Sequence, residues 1–257
     1  MITRYTCSLN GIELGHLDPS ILLLDIRYTA PVRTLTTTQL AGRDGQRLMR
    51  TTTSSVSVSL TFEIHEQDIQ RRFAVCEKVQ QWAMEGGLLT TGDRPERQLH
   101  VVCETPPVIG SSLKWTDRLG VTLTAFDRPF WEDRFPTTVS LSGNTSRSVY
   151  APGFAAPAMV EGSVTNQGTG PIQQVDITAG ETAFHFTGLG LAAGQKLTFD
   201  YDEHGILSIR VGSTSALDKR TPLSSDDLTL IPGGMRTVGV HTDGSALTRL
   251  DIRGRYL

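Results

Sequence analysis

Alternation of apolar and polar residues is the main pattern along the first half of the chain. It is clearest at residues 55–64, where valine, leucine, phenylalanine and isoleucine alternate with serine, threonine and glutamate. A period of two over this length predicts an antiparallel strand with one buried face. Similar stretches predict further strands at 22–29, 98–104 and 120–126.

One segment has helical periodicity. Between residues 67 and 85 apolar residues recur at steps of three and four, which predicts one amphipathic helix of about five turns. Asp68 precedes it as a candidate N-cap, and Gly86 and Gly87 follow as the stop. The predicted buried stripe consists of Ile69, Phe73, Cys76, Val79 or Gln80, and Ala83. A single long helix among many strands excludes a doubly wound or TIM-type fold, because those folds alternate strand and helix.

The segment 33–53 is polar and rich in threonine, and its middle reads Gly42-Arg43-Asp44-Gly45. This pattern predicts two strands joined by a long exposed tip. Such a hairpin has little apolar surface of its own to hold it, and long segments without a core are usually functional or disordered. We therefore interpret 33–53 as an arm that reaches a neighbouring molecule.

A cluster of prolines marks a change in the chain after the first half. Four prolines fall between residues 129 and 157, with serine and glycine around them. Proline excludes a continuous strand or helix, so the sequence predicts a domain boundary at about 135–145. We accordingly divide the chain into a first domain at 1–138 and a second at 139–257.

The second domain contains short strand-like runs separated by turn signals. The runs fall at 172–178, 182–187, 196–201, 206–211, 227–231, 236–240 and 247–255. Asp243-Gly244 is a candidate two-residue hairpin turn. Evenly spaced short strands predict a β-sandwich. The expected fold class is therefore mainly β, with a β-rich first domain that carries one helix and an arm.

Composition and charge narrow the classes of function. The 257 residues include 24 lysines and arginines against 27 aspartates and glutamates, a formal net charge of −3. Neither half is net basic, which argues against a dedicated nucleic-acid-binding module. The start of the chain shows no secretory signal and no apolar run long enough to cross a bilayer. Cys7, Cys76 and Cys103 fit no metal-ligand spacing, so we expect three reduced thiols.

Sequence motifs for catalysis or cofactor binding are missing. The chain has no phosphate loop, zinc helix or nucleophile elbow, so we expect no catalytic residue, cofactor or metal. His65 and Glu66 are neighbours on a strand end and point to opposite faces, which does not suit a proton-transfer pair. His185 stands between two phenylalanines, which predicts a solvent-facing position. Gly188-Leu189-Gly190 has the wrong spacing to Gly194 for a dinucleotide loop and predicts a turn.

Two other functions are alternatives. Carboxylates close in sequence would suit a glycoside-acting enzyme; they are Asp200, Asp202, Glu203, Asp226 and Asp227. However, the stretch 202–205 has the composition of a hairpin turn. The chain also lacks the spaced loop of acidic ligands that would indicate calcium binding. A carbohydrate-binding module is the stronger alternative for the second domain. It is weakened because all three tryptophans, Trp82, Trp115 and Trp131, precede the predicted boundary.

Three arginines, Arg43, Arg47 and Arg50, form a local basic group on the arm beside Asp44. Nucleic-acid binding would need more positive charge and interleaved aromatic residues. Arginine is enriched at protein interfaces, where it makes charge-assisted contacts. We therefore predict that these four residues contribute to an interface between subunits.

The order of these parts resembles the distal tail proteins of siphophages, the long-tailed, non-contractile phages. The most specific stretch is Thr124-Ala125-Phe126-Asp127-Arg128-Pro129-Phe130-Trp131, which is similar to a family strand ending in an acidic residue, a proline and paired aromatics. It departs from the family in one place, because Arg128 separates the acidic residue from the proline. The tip at 41–45 is similar to the family's belt. The stretch 88–95 after the helix and the sandwich opening at 141–144 are similar as well, so the resemblance covers nearly the whole chain.

This resemblance implies a structural role rather than an enzyme. It implies a homo-hexameric ring at the end of the tail tube, built by the first domain with its arm clasping the next subunit, while a galectin-like second domain points outward. The expected partners are the tail tube protein, the tail-tip or tail-associated fibre protein, and a receptor-binding protein. DNA would pass through an open channel without sequence-specific binding. The protein would not insert into membranes; it would assemble in the cytoplasm of a bacterial host and end in the virion tail tip.

Overall fold

The computed structural model describes residues 6–39, 41–42, 44–108 and 118–257. The chain divides into two compact units, Met1–Trp131 and Glu132–Leu257. This division falls a few residues before the boundary expected from the prolines. Both units consist mainly of β-strands, as the alternating pattern and the short runs predict.

The first unit combines antiparallel strands with one long helix. Among the described residues, strands pair in the order β3–β6–β9–β8–β7–β1–β2, while β4 and β5 pair with each other. A short strand, β10 (Trp131–Asp133), contains the division between the units. The other elements are β1 (Cys7–Leu9), β2 (Ile12–Glu13), α1 (Leu14–Leu17), β3 (Ile21–Tyr28), β4 (Arg33–Thr38), β5 (Arg47–Thr53), β6 (Val56–Ile64), α2 (Ile69–Met84), β7 (Gly87–Thr91), β8 (Arg94–Thr105) and β9 (Arg118–Ala125).

Strand β6 lies between β3 and β9 and shows how the alternation forms the core of this unit. Its apolar residues at every second position from Val56 to Ile64 are buried, and the polar residues between them are half-buried. Both neighbouring strands pair with it along most of its length. The strands predicted at 22–29, 55–64, 98–104 and 120–126 are confirmed as β3, β6, β8 and β9.

Helix α2 begins and ends where the sequence predicts. Asp68 Oδ1 accepts hydrogen bonds from the backbone N–H groups of Gln70 at 2.7 Å and Arg71 at 3.3 Å. These bonds satisfy two amides that have no partner inside the helix. At the other end Gly86 and Gly87 have φ of +61° and +113°, so the chain leaves the helix through a conformation that favours glycine.

The predicted buried stripe of α2 is wrong at two positions. Ile69 and Phe73 are 39% and 43% exposed. Trp82 fixes a different rotation of the helix, because its ring is buried while its Nε1 donates to the carbonyl oxygen of Ile12 at 3.0 Å. The periodicity alone fits two overlapping stripes, and the bulkiest side chain decides between them. The residues that are buried are Arg72, Val75, Cys76, Val79, Trp82 and Ala83.

The second unit contains two antiparallel sheets. The larger has the order β11–β21–β13–β16–β17–β18 with β19 also beside β13, and the smaller has the order β12–β20–β14–β15. A turn of 3-10 helix, Leu217–Lys219, follows β18. The strands are β11 (Thr137–Ser142), β12 (Thr145–Ala151), β13 (Ala156–Asn166), β14 (Val175–Ala179), β15 (Thr182–Phe186), β16 (Lys196–Tyr201), β17 (Leu207–Val211), β18 (Thr214–Ser215), β19 (Thr229–Leu230), β20 (Gly234–Thr242) and β21 (Ala246–Tyr256).

One apolar core lies between the two sheets, as in the predicted β-sandwich. Phe184 and Phe186 from the smaller sheet and Phe199 from the larger sheet are fully buried. Phe184 makes edge-to-face contacts with both, at ring-centroid distances of 6.1 Å and 5.9 Å. Such aromatic pairs stabilise a core beyond the apolar area that they bury.

The proline-rich stretch contains continuous strands, contrary to the sequence prediction. Pro136 and Pro152 lie directly outside β11 and β12, so they do not interrupt a strand. Pro157 lies inside β13, at the point where the pairing with β21 shifts register between Ala156 and Met159. Proline has no N–H to donate, and an irregularity of this kind is one of the few places where a strand tolerates it.

The predicted hairpin at Asp243-Gly244 is wrong, because this turn joins the two sheets instead. β20 before it pairs in the smaller sheet, whereas β21 after it pairs in the larger. The Asp243 carboxylate accepts hydrogen bonds from the backbone N–H groups of Gln173 and Gln174, each at 3.1 Å. The dipeptide favours a tight turn, but it carries no information on whether the strands on either side pair with each other.

Candidate functional site

The segment predicted as an arm is an exposed β-hairpin. β4 and β5 pair from Arg33 opposite Thr53 to Thr38 opposite Arg47. Within the part of the chain that the structure describes, their strand partners are each other alone. Nearly every side chain of both strands is exposed. The hairpin therefore offers almost its whole surface to a neighbouring molecule.

The base of the arm continues the pairing of β3 with β6. Thr29 N donates to the Ser57 carbonyl oxygen at 2.9 Å, and Ser54 N donates to the Val32 carbonyl oxygen at 2.9 Å. Ser54 Oγ in turn accepts from Val32 N at 2.8 Å. These bonds maintain the connection past Pro31, which has no N–H to donate. The arm is thus rooted in the sheet of the first unit.

An aromatic cluster anchors the last residue of β3, Tyr28, just before the arm. Its hydroxyl donates to Asp93 Oδ1 at 2.6 Å, and its ring meets the buried Trp131 edge to face at 5.7 Å. The Arg94 guanidinium lies 4.6 Å from the Tyr28 ring centroid and 5.0 Å from that of Trp131. Burial, and next the Asp93 hydrogen bond, raise the pKa of Tyr28, so its hydroxyl remains a donor at neutral pH.

A bulge sorts the side chains of the arm into two faces. Along β5 the pairing with β4 steps from Arg50 to Leu48, so Met49 has no partner. Residues paired across a ladder share a face, and successive residues of a strand alternate. Arg47 and Arg50 therefore share one face although they are three residues apart. In a regular strand they would lie on opposite faces.

The two faces of the arm differ in chemistry. The face with Arg47 and Arg50 also carries threonines from both strands, whereas the opposite face carries Leu35 and Leu48 together with Arg33 and three threonines. These leucines are 60% and 54% exposed. Leaving such side chains in water is unfavourable, and their burial against a partner would stabilise a complex. Arg47 and Arg50 on one face and the two leucines on the other are therefore available for polar and apolar contacts.

Three of the four residues predicted at the subunit interface lie on this hairpin. Asp44, Arg47 and Arg50 are exposed, while Arg43 lies outside the described residues. Sequence reasoning missed the leucine face and the Tyr28 anchor. The signal for the first was present, since Leu35 and Leu48 are isolated apolar residues in a polar segment. The Tyr28 anchor depends on contacts between strands that are distant in sequence, so it has no local signal.

The histidines considered for catalysis do not assemble a site with the residues beside them in sequence. His65 Nε2 lies 3.1 Å from Glu63 Oε2, whereas Glu66 pairs with Arg71 at 2.9 Å. His185 is half-exposed and lies with its Nδ1 2.7 Å from Asp176 Oδ1 on the adjacent strand β14.

The five carboxylates considered for catalysis are exposed, and Asp202 lies in a turn. Asp202 Oδ1 accepts from the N–H groups of His204 at 2.9 Å and Ile206 at 2.8 Å, as a hairpin turn requires. Gly188 and Gly190 have positive φ, which fits the predicted turn. In the described ranges, no group of three or more histidine, cysteine, aspartate or glutamate side chains is placed to hold a metal ion. No helix there is both long and apolar enough to span a membrane.

The three cysteines are free thiols, as the sequence predicts. Cys7 and Cys76 are buried and Cys103 is half-buried. Burial, with a smaller contribution from Glu13, raises the pKa of Cys7 to about 12. A thiol with this pKa is not a nucleophile at neutral pH, because the thiolate is the reactive form.

Comparison with known proteins finds matches in structure alone. No family model and no curated protein sequence matches the chain. The crystal structure of the Dit protein of phage SPP1, described as a paradigm of the hub adsorption apparatus in phages that infect Gram-positive bacteria, matches with a TM-score of 0.68. The match covers 98% of this chain and 99% of that chain at 10% sequence identity.

Two structures of the phage p2 baseplate in its activated conformation also match. With strontium, the TM-score is 0.53 over 97% of each chain at 8% identity. With calcium, it is 0.50 over 89% of this chain and 90% of that chain at 7% identity. The chain therefore has the fold of these phage hub and baseplate proteins, and the resemblance read from its sequence is confirmed at the level of the fold.

Proposed function

We propose that this protein is a structural component of a phage tail, in which six copies form a ring that joins the tail tube to the tail tip. The observation that carries this proposal is the match to the SPP1 Dit hub protein over 98% of the chain. Because it extends across both units and the arm, it supports a common role more strongly than a match to the sandwich alone would. The role is mechanical and requires no catalysis.

The exposed hairpin supports a contact between neighbouring copies. Each edge of the β4–β5 pair presents backbone N–H and C=O groups that can add to the edge of another sheet. Its leucine face supplies apolar area, and Arg47 and Arg50 supply charge-assisted hydrogen bonds. The proposed contact is heterologous, since the arm of one copy meets a different surface of the next. A contact of this kind closes into a ring when each copy is rotated by a sixth of a turn.

The proposed ring would leave an open channel for DNA. The chain carries a net charge of −3, and a channel lining that shares this balance would let DNA pass without non-specific attraction. The proposed partners are the tail tube protein on one side, the tail-tip or tail-associated fibre protein on the other, and a receptor-binding protein. The proposed location is the virion tail tip, after assembly in the bacterial cytoplasm.

Mass photometry combined with negative-stain microscopy tests this proposal. The purified full chain is measured over a range of concentrations, alone and mixed with the tube and tip proteins of its own phage. We expect hollow rings of about 168 kDa, which is six times the subunit mass of 28.0 kDa. Because arm contacts depend on concentration, the ring fraction should rise with it. Single copies under every condition would overturn the proposal.

A further inference from the structure

The outer face of the smaller sheet of the sandwich carries a polar depression. Its floor is Gly239 in the middle of β20, and the register places Ser146 of β12 and Thr178 of β14 on either side. A Cβ at position 239 would lie 2.9 Å from Thr178 Oγ1 and 3.3 Å from Ser146 Cβ, so a side chain there would fill the space. The depression is shallow and open to solvent, with a volume of about 270 Å³. It is large enough to admit part of a small polar molecule.

A charged and polar row borders this depression. Asp176 lies between His241 of β20 and His185 of β15, and all three project from the outer face. His185 Nδ1 lies 2.7 Å from Asp176 Oδ1, which fixes the orientation of the carboxylate. Asp176 and His241 both line the depression. A ligand in it would therefore meet a positioned carboxylate, an imidazole and two hydroxyls.

These groups suit a ligand that presents several hydroxyls. A carboxylate accepts hydrogen bonds, serine and threonine hydroxyls both donate and accept, and an imidazole does either according to its tautomer. Sugar hydroxyls also donate and accept, so they match this lining. The described lining contains Asp176 and no lysine or arginine, which disfavours an anion. The matching ligand is therefore a neutral saccharide.

An aromatic side chain lies farther along the same face. Tyr150 pairs with Met235 near the start of β20, and the two are 60% and 59% exposed. Gly239 lies four positions after Met235, a distance of about 14 Å along a strand. The Tyr150 ring offers a flat apolar surface with a polar tip, which suits the C–H face of a sugar ring.

We propose that the outer face of the smaller sheet binds a neutral saccharide. One sugar unit would occupy the depression at Gly239 and bond to Asp176, Thr178 and Ser146, and further units would extend along β20 toward Tyr150. This activity goes beyond the hub role and does not depend on it, since the residues belong to the second unit alone. Ring formation and saccharide binding can therefore succeed or fail separately.

Saturation-transfer NMR on the full chain tests the site, with lactose, maltotriose and triacetylchitotriose each at millimolar concentration. We expect at least one of the three to bind. Thr178→Val, which replaces a hydroxyl by a methyl group, and Asp176→Asn should each weaken the dissociation constant about tenfold, because each leaves a ligand hydroxyl without its partner. Thr198→Val on the outer face of the larger sheet is the matched control and should change the constant less than about twofold.

Amide shifts in the ¹⁵N spectrum provide the second readout. The bound saccharide should shift the Gly239 amide in the wild type and in Thr198→Val. Failure of all three saccharides to bind would overturn the proposal. So would binding that both Thr178→Val and Asp176→Asn leave unchanged, because the ligand would then lie elsewhere. Thermal melts show whether each variant is folded. If one of the two site variants does not fold, the other is compared with the wild type alone.

Discussion

Arg47 and Arg50 share one face of the arm because Met49 between them has no partner on the opposite strand. A single unpaired residue thus converts a spacing of three, which would separate the two guanidinium groups, into a common face. The same step leaves Leu48 on the opposite face with Leu35. The arm thus owes its two faces to the register of its strands, in which the bulge at Met49 keeps Arg47 and Arg50 together.

Charge reversal on the arginine face should prevent ring formation. The double variant Arg47→Glu with Arg50→Glu replaces two donors by two acceptors on each arm, and a charge-assisted hydrogen bond contributes about 1.5–3 kcal/mol. We expect the ring fraction in mass photometry to fall at least about tenfold at fixed concentration. The melting temperature should stay unchanged because both side chains are exposed.

The control for this variant is Arg210→Glu, an exposed arginine on β17 of the sandwich. It changes charge in the same direction without touching the arm, so the ring should persist. Rings of unchanged mass and abundance in the double variant would contradict the role of the arginine face. They would leave the leucine face as the remaining arm contact.

Two length changes that both remove the bulge should have opposite effects on assembly. Deletion of Met49 leaves Arg47 and Arg50 two positions apart, so they stay on one face of a regular strand. Insertion of a threonine between Thr36 and Thr37 gives Met49 a partner and places the two arginines on opposite faces. We expect rings from the deletion and a loss of rings from the insertion, measured by light scattering. Equal behaviour of the two variants would show that the shared face does not matter.

Gly87 should not tolerate a side chain, because Asn10 encloses it. The Asn10 side chain donates to the Gly86 carbonyl oxygen at 2.8 Å and accepts from Leu88 N at 2.9 Å. A Cβ at Gly87 would lie 2.2 Å from Asn10 Oδ1. Gly87 also has φ of +113°, a conformation that strains any residue with a side chain. We expect Gly87→Ala to lower the free energy of unfolding by about 2–3 kcal/mol in urea titrations.

Gly11→Ala is the matched control for the clash at Gly87. Gly11 has φ of +82° but no atom within 4 Å of an added Cβ. It should therefore cost only the backbone strain, about 1 kcal/mol. Equal losses in the two variants would mean that the chain moves away from Asn10 at little cost.

Features with local causes were predictable from the sequence. The alternation of β6, the Asp68 cap and the glycine stop of α2 each depend on residues within a few positions, and the structure contains all three. The position of the arm followed from its polar composition in the same way.

Features that depend on distant pairing were not predictable. Trp82 fixes the rotation of α2 through Ile12, which is 70 residues away in the chain. The irregularity that accommodates Pro157 exists because β13 pairs with β21, which no local pattern indicates. The bulge at Met49 is of the same kind, since the sequence predicted the arm but did not predict its two faces.

Gly162 should be essential to the sandwich because β21, its neighbour in the same sheet, approaches it closely. An added Cβ would lie 2.2 Å from the Arg249 carbonyl oxygen and 2.9 Å from Phe199 Cζ. The Arg249 carbonyl oxygen belongs to the backbone and cannot rotate away, so β13 and β21 would have to separate. We expect Gly162→Ala to destabilise the second unit by at least about 3 kcal/mol in thermal unfolding. Gly170→Ala, with no atom within 4 Å of its added Cβ, should melt like the wild type, and equal melting of both variants would contradict this explanation.

Asp18 should make the stability of the first unit dependent on pH. Its nearly buried carboxylate accepts from Ser20 N at 3.1 Å and Ser20 Oγ at 2.8 Å, and the Lys78 ammonium lies 3.4 Å away. Burial acts to raise the pKa of Asp18, but the Ser20 hydrogen bonds and Lys78 together outweigh it and lower the pKa. The folded state thus binds the proton less tightly than the unfolded state, whose carboxyl has a pKa of about 3.9.

The stabilisation by Asp18 is therefore present above the unfolded pKa and is lost as the pH falls through the lower, folded pKa. We expect Asp18→Asn to cost about 1–2 kcal/mol in urea unfolding at pH 7 and progressively less below about pH 4. Asp44→Asn, an exposed position on the arm, should have the stability of the wild type at pH 7. A penalty for Asp18→Asn that stays constant from neutral to acidic pH would show that the carboxylate acts through its shape and hydrogen bonds, and that its charge contributes nothing.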